Sequence, residues 1–193
     1  LHCRRRPLQV CQSFGHPVID DEGRYVCAEF QNCRIVSFYM PSGSSGDVRL
    51  RVKMRVMSAL YQRMKEWAAQ AEKGEKQTLL CGDINIAHTC KDLHNWRSNQ
   101  KNSGFLPEER EWLDAVVNKL GMIDVFRKLN DSGGEYTWWS NRGRAREKNV
   151  GWRLDYQLST PLLAARARQT FVYRDAMFSD HAPVFVRYHF ALR

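Results

Sequence analysis

The chain has 193 residues, enough for one sizeable hydrophobic core, so a single domain is expected. Hydrophobic residues make up 43% and aromatics 11%, a globular balance that excludes a chain disordered throughout. Lys and Arg number 30 against 21 acids, a formal charge of +9. A solvated basic surface would account for that excess, and a polyanionic partner would too if the charge clusters. The six cysteines (Cys3, Cys11, Cys27, Cys33, Cys81, Cys90) show no C-x-x-C pair or other zinc spacing, and several lie in apolar runs where a free thiol acts as a small hydrophobe. That usage predicts a reducing, cytoplasmic setting. No apolar run approaches the roughly 20 residues of a membrane span, and no signal peptide is evident.

The chain opens at Leu1 with Leu1-His2-Cys3-Arg4-Arg5-Arg6-Pro7, as if entering mid-strand, which reads as a partial sequence. Residues 23–30 and 33–39 are β-rich runs split by Gln31-Asn32, and they predict a hairpin. A Gly/Ser loop follows from Pro41 to Gly46. Val56, Met57, Leu60, Tyr61, Met64, Trp67, Ala68 and Ala71 recur at helical spacing and predict a long amphipathic helix ended by Gly74. Thr78-Leu79-Leu80-Cys81 is short and unbroken, as a buried strand would be. The polar, irregular stretch from His88 to Leu106 carries Trp96, Arg97 and Lys101. Pro107-Glu108-Glu109 then opens a second helix with Trp112, Leu113, Val116, Val117 and Leu120 inward, stopped at Gly121. Strands are expected over 136–139, 154–158, 170–173 and 183–190. Hairpins beside helical crossovers argue for an α/β fold with mixed sheets.

Two polar clusters stand where apolar runs end or begin: Cys81-Gly82-Asp83-Ile84-Asn85 and Ser179-Asp180-His181. Asp83 and Asn85 alternate with Ile84, so both project to one side as the chain leaves its strand. A carboxylate there could hold Mg²⁺ or take a proton from water, and an Asx turn would use the same residues. Asp180 offers a hard oxygen ligand beside an imidazole, the donor type that Mg²⁺ prefers. Asp155 lies within an apolar strand and needs a partner, either His181 or its neighbour Arg153. Tyr39 ends its strand at the mouth of the Gly/Ser loop, suited to core packing or to a polar role. The Asn141–Asn149 loop concentrates Arg142, Arg144 and Arg146 next to Trp138, Trp139 and Trp152. Charge beside aromatic planes suits phosphate contact and stacking on DNA or RNA, against a solvated loop flanked by core tryptophans.

In order, Tyr39-Met40-Pro41-Ser42-Gly43, Gly82-Asp83-Ile84-Asn85-Ile86-Ala87-His88, Asn102 to Arg110, Asn149 to Tyr156 and Ser179 to Val184 resemble the exonuclease III family of apurinic/apyrimidinic endonucleases, within the endonuclease/exonuclease/phosphatase superfamily. The resemblance implies a four-layer α/β sandwich of two packed mixed sheets flanked by helices, a single catalytic domain over residues 1–193, and a monomer. It implies Mg²⁺-dependent cleavage at abasic sites, with 3′-to-5′ exonuclease and 3′-end-cleaning activity on duplex DNA, Mn²⁺ being an admissible substitute. By position, Tyr39, Asp83, Asn85, Asp155 and His181 would be catalytic. Asp83, Asn85, Asp180 and His181 would serve the metal. Asn102, Trp138, Trp152 and Leu154 match positions that contact DNA or wall the sugar pocket, and Arg142 and Arg144 join them from the basic loop.

The chain departs from the family's pattern in two places. The N-terminal segment that carries a first strand, an early Asn and a metal-binding Glu has no counterpart, and Asp20, Asp21 and Glu22 read as surface residues in a turn. Ser42 stands where some relatives carry a DNA-contacting Asn. Two other readings stay open: a same-fold phosphodiesterase acting on another phosphoester, and a catalytically inactive DNA-binding remnant.

Overall fold

The computed structural model describes residues 1–193. Its elements in chain order are β1 (Gln9–Cys11), α1 (Pro17–Asp21), β2 (Tyr25–Glu29), β3 (Cys33–Phe38), α2 (Asp47–Glu72) and β4 (Gln77–Asp83). They continue with α3 (Trp96–Asn99), α4 (Pro107–Asn118), β5 (Ile123–Asp124), α5 (Val125–Leu129), β6 (Trp138–Trp139) and β7 (Gly151–Trp152). The chain closes with β8 (Asp155–Ser159), α6 (Pro161–Ala164), β9 (Ala167–Val172) and β10 (Val184–Tyr188).

The expected hairpin forms between β2 and β3, with Tyr25 opposite Phe38 and Glu29 opposite Arg34. β3 then pairs in parallel with β4. Parallel neighbours need a long crossover, and α2 supplies it. Gly74, at φ +74, turns the chain back into the sheet. The result is a mixed six-stranded sheet ordered β1-β2-β3-β4-β8-β5, in which only the β3/β4 pair is parallel. Val56, Leu60, Met64 and Trp67 of α2 meet Val36, Phe38, Leu80, Tyr156 and Leu158 on one face of this sheet. Burying each such side chain stabilises the fold by about 1.5–3 kcal/mol.

The opposite face carries Ile35, Ser37, Cys81 and Gln157, all half-buried. Two antiparallel ribbons, β9–β10 and β6–β7, complete the strand set. Tyr188 donates its hydroxyl to Gln157 Oε1 at 2.8 Å, tying the β9–β10 ribbon to β8. The expected α/β class with mixed sheets flanked by helices is thus present, built from one six-stranded sheet and two two-stranded ribbons.

Helix α2 starts nine residues before the first apolar position used to predict it. Arg49, Arg51, Lys53 and Arg55 interrupt the stripe there, yet Lys53 is fully buried and Val52 packs inward. The strand expected over 136–139 shortens to β6, and Tyr136 and Thr137 just before it are buried. The acidic cluster of residues 20–22 stays away from the cleft. Asp20 receives the Phe14 and Gly15 amides at 2.6 and 2.9 Å, and Glu22 pairs with Arg24 and Arg49.

Candidate active site

Antiparallel pairing of β4 and β8 sets Asp83 directly opposite Asp155. Paired positions project from the same face, so two carboxylates meet at the sheet rim. Gly82, one residue earlier, adopts φ +145, and a Cβ there would sit 1.9 Å from the Phe38 carbonyl oxygen. Only glycine lets β3 and β4 close at that point. Beyond Asp83 the backbone N–H of Ile84 donates to Leu154 O at 2.9 Å, while the Ile84 side chain is buried.

Asn85 takes a left-handed conformation, φ +54, which asparagine tolerates better than most residues. That turn folds its amide back onto the aspartate. Its N–H donates to Asp83 Oδ1 at 2.8 Å, and its Nδ2 donates to Asp83 Oδ2 at 3.0 Å and to Met40 O at 2.9 Å. The Asx turn is therefore formed, and both of its side chains line the cleft described below.

His181 arrives on the segment before β10. Its N–H donates to Ser179 Oγ at 3.0 Å, and the residue bridges Trp138. His181 Nδ1 lies 2.8 Å from Asp155 Oδ2 and Nε2 lies 4.0 Å from Asp83 Oδ2. An ionised carboxylate only accepts, so Nδ1 carries the shared proton. Asp155 thus takes His181 as its partner, and Arg153 faces away toward Asp92 and Asp124 at 2.7 Å each.

Burial pushes the Asp83 carboxyl up to about 7, and the facing Asp155 charge adds to the rise. The Asn85 amide, His181 and Lys53 offset only part of it. Burial disfavours charge on the His181 ring. The hydrogen bond and charge of Asp155, with Asp83 and Asp180 behind it, nevertheless hold the imidazole above its ordinary value.

These groups open on a cleft of about 720 Å³ lined by Tyr39, Asn102, Trp138, Trp152 and Leu154 together with Asp83, Asn85, Asp180 and His181. The Trp138 and Trp152 rings meet edge to face, 6.5 Å apart at 78°. Trp138 Nε1 donates to Asp180 Oδ2 at 2.9 Å. Tyr39 is half exposed on the cleft rather than packed in the core, with the Arg24 guanidinium 4.6 Å from its ring centre. Lys101 and Asn99 extend the rim.

Arg142 and Arg144 do not line this cleft. They sit in an exposed turn, where Arg144 bonds Glu147 at 2.6 Å. Their neighbour Arg146 does not line the cleft either but braces the segment before His181, donating to Ser179 O at 3.2 Å and lying over Trp139 at 4.9 Å. Charge counting along the loop did not separate the buttressing arginine from the solvated ones. Lys53 and Glu109, which lie beneath the Asp83–Asn85 turn, were also missed. Their signal was a charge placed at a core position of each helix.

The four positions expected to serve a metal, Asp83, Asn85, Asp180 and His181, do not form a ready cage, and no group of three or more His, Cys, Asp or Glu side chains has metal-binding spacing. Asp180 is held by the Trp138 indole, His181 is turned to Asp155, and Asp83 is wrapped by Asn85. What remains is a set of hard oxygen donors with an excess of negative charge at Asp83. That set fits a cation bound through one or two carboxylates and completed by water and phosphate, the usual pattern for Mg²⁺.

Residues 3–181 match the endonuclease/exonuclease/phosphatase family, and the chain belongs to it. It is 36% identical over 182 residues to an exodeoxyribonuclease of Bacillus subtilis, covering 94% of this chain and 70% of that protein. It is 37% identical over 189 residues to the DNA repair nuclease APEX1 of Danio rerio, covering 94% of this chain and 57% of that protein. A solved structure of the 3′ phosphatase NExo from Neisseria, bound to product DNA hairpin, superimposes with a TM-score of 0.82 at 25% identity. That match covers 95% of this chain and 72% of the Neisseria chain. The chain spans little more than half the length of the zebrafish relative.

Proposed function

We propose that this chain carries the catalytic surface of a Mg²⁺-dependent DNA-repair nuclease. It would cut phosphodiesters at abasic sites in duplex DNA and remove nucleotides or blocking groups from 3′ ends. The observation that carries this reading is the convergence of Asp83, Asn85 and His181, the last held by Asp155 behind it, from distant parts of the chain on one cleft walled by Trp138, Trp152 and Leu154. Relatives named as nucleases and a neighbour bound to DNA support the substrate class.

In this reading Asp83 accepts a proton from the attacking water, a task suited to a carboxyl whose proton affinity lies near neutrality. Asn85 steadies that water or a phosphate oxygen. His181, oriented through Nδ1 by Asp155, presents Nε2 to the scissile phosphate. Tyr39 offers its phenol at the leaving group. Asp83 and Asp180, with Asn85 and His181 at the margin, would hold Mg²⁺. When bound, the ion would offset negative charge as it grows on the phosphate oxygens. Extruding an abasic sugar costs little because no base pair is lost, and a close apolar wall rejects an intact nucleotide.

The test is a duplex with one abasic site, incubated with the whole protein and Mg²⁺ or with EDTA. Nicking at the abasic site with Mg²⁺ alone is expected. Duplex binding without nicking would favour the inactive DNA-binding remnant and sink the nuclease reading.

A further inference from the structure

A buried cation lies directly under the Asp83–Asn85 turn, and the reaction as described makes no use of it. Lys53 of α2 and Glu109 of α4 are both fully buried, with Nζ and Oε1 2.5 Å apart. Lys53 Nζ also donates to the Asn85 carbonyl at 2.7 Å. Glu109 Oε2 receives the Gly104 and Leu106 amides at 2.6 and 3.0 Å, and Oε1 receives the Ser103 hydroxyl at 3.0 Å. A sheltered ion pair is a weak source of stability, because losing two hydration shells consumes most of the mutual attraction. An apolar pair of the same volume would fill the space.

What an apolar pair could not do is bind two backbones. Lys53 holds the turn that presents Asp83, and Glu109 holds the loop Asn102–Leu106 on the facing wall of the cleft. The two segments touch elsewhere as well. Ala87 N–H donates to Gly104 O at 2.8 Å. A side chain at Gly104, φ +98, would press on Trp152 at 3.1 Å and on Asn85 O at 3.4 Å.

We propose that Lys53 and Glu109 are positioning residues, a buried ion pair that fixes the Asp83–Asn85 turn against the DNA-facing Asn102–Leu106 loop. The inference rests on the nuclease reading and adds to it the geometry that keeps Asp83 in register with a strand bound along that loop.

The test compares the whole wild-type protein with Lys53→Met and with Lys53→Met/Glu109→Gln, the second of which leaves no lone charge buried. Turnover of abasic duplex should fall about 100-fold, as expected when reacting groups shift by about an ångström. KM and duplex affinity should stay within about threefold, since the loss is in orientation and not in uniform binding. Amide hydrogen exchange at Asn85, Ala87 and Gly104 should speed up in the double variant, while Leu79 and Leu80 of β4 stay protected. A folded double variant with wild-type turnover, or with unchanged exchange at those three amides, would overturn the inference. If the wild type nicks no abasic DNA, the nuclease reading fails separately and the exchange measurement alone decides the positioning role.

Discussion

Asp83 and Asp92 both border the 152–155 segment, both lie largely out of water, and their surroundings have opposite sign. Asp92 receives Arg153 Nε at 2.7 Å and Arg127 Nε at 3.1 Å, and its Oδ2 takes the Thr89 amide at 2.9 Å. Burial works against its charge, but the two guanidinium groups overcome it and hold the carboxyl well below the usual range. Asp83 faces a second carboxylate, has one neutral amide wrapped around it, and keeps its nearest imidazole nitrogen at 4.0 Å. Its carboxyl rises to about 7. One neighbourhood is closed electrostatically and serves as structure. The other is left short of positive charge, which is what a proton acceptor and cation site require.

Substitution at each aspartate should separate the two. Asp83→Asn keeps the shape of the turn and removes the acceptor. Nicking of abasic duplex should drop by about 10²–10⁴-fold while duplex binding persists, measured by single-turnover cleavage and fluorescence anisotropy. Undiminished cleavage would take Asp83 out of the chemistry. Asp92→Asn leaves buried Arg153 with Asp124 as its one remaining anion, and unfolding in urea should lose about 3–5 kcal/mol. Cleavage per folded molecule should change little. A large catalytic loss in a well-folded Asp92→Asn protein would erase the distinction.

The pH response sharpens the contrast, because the two groups push stability in opposite directions. Asp83 binds its proton more tightly folded than unfolded, so without a divalent cation its burden appears as pH rises from about 4 and is complete above about 7. Asp83→Asn should therefore melt higher than wild type at pH 8, with the gap closing toward pH 4. Asp92, with its lowered value, stabilises the protein at neutral pH and gives that up only in acid. Its variant should show the largest deficit at neutral pH and a shrinking one below pH 4, read from thermal melts at matched ionic strength.

The smallest effect belongs to the exposed loop, which lies outside both neighbourhoods. If Arg142 contacts a phosphate, Arg142→Ala should lower the slope of log affinity against log salt by about 1 and leave turnover unchanged. A change in turnover would show that the loop reaches further into the cleft than its exposure implies.

Much of the site was legible because its chemistry sits in short contiguous motifs. Gly82-Asp83-Ile84-Asn85 and Ser179-Asp180-His181 declare strand ends and donor types without reference to the rest of the chain. The Asp155–His181 pair also followed, since a carboxylate inside an apolar strand must find a partner. Helix α2 and the β2–β3 hairpin were visible through their periods. What escaped has little local signature. β5 and β7 are two residues long and carry no period, so pairing partners define them. Lys53 and Glu109 show only as charges on the inward stripe of their helices, and nothing local says that they meet. Arg146 differs from Arg142 and Arg144 only in where the turn at φ +56 on Arg144 aims the chain.

The contact between Gly82 and the Phe38 carbonyl has a practical corollary for anyone randomising this cleft. Every codon other than glycine at position 82 would prise β3 from β4 and tilt the neighbouring aspartate out of place. A saturation library should record that site as barren even when the replacement is alanine, the mildest change available.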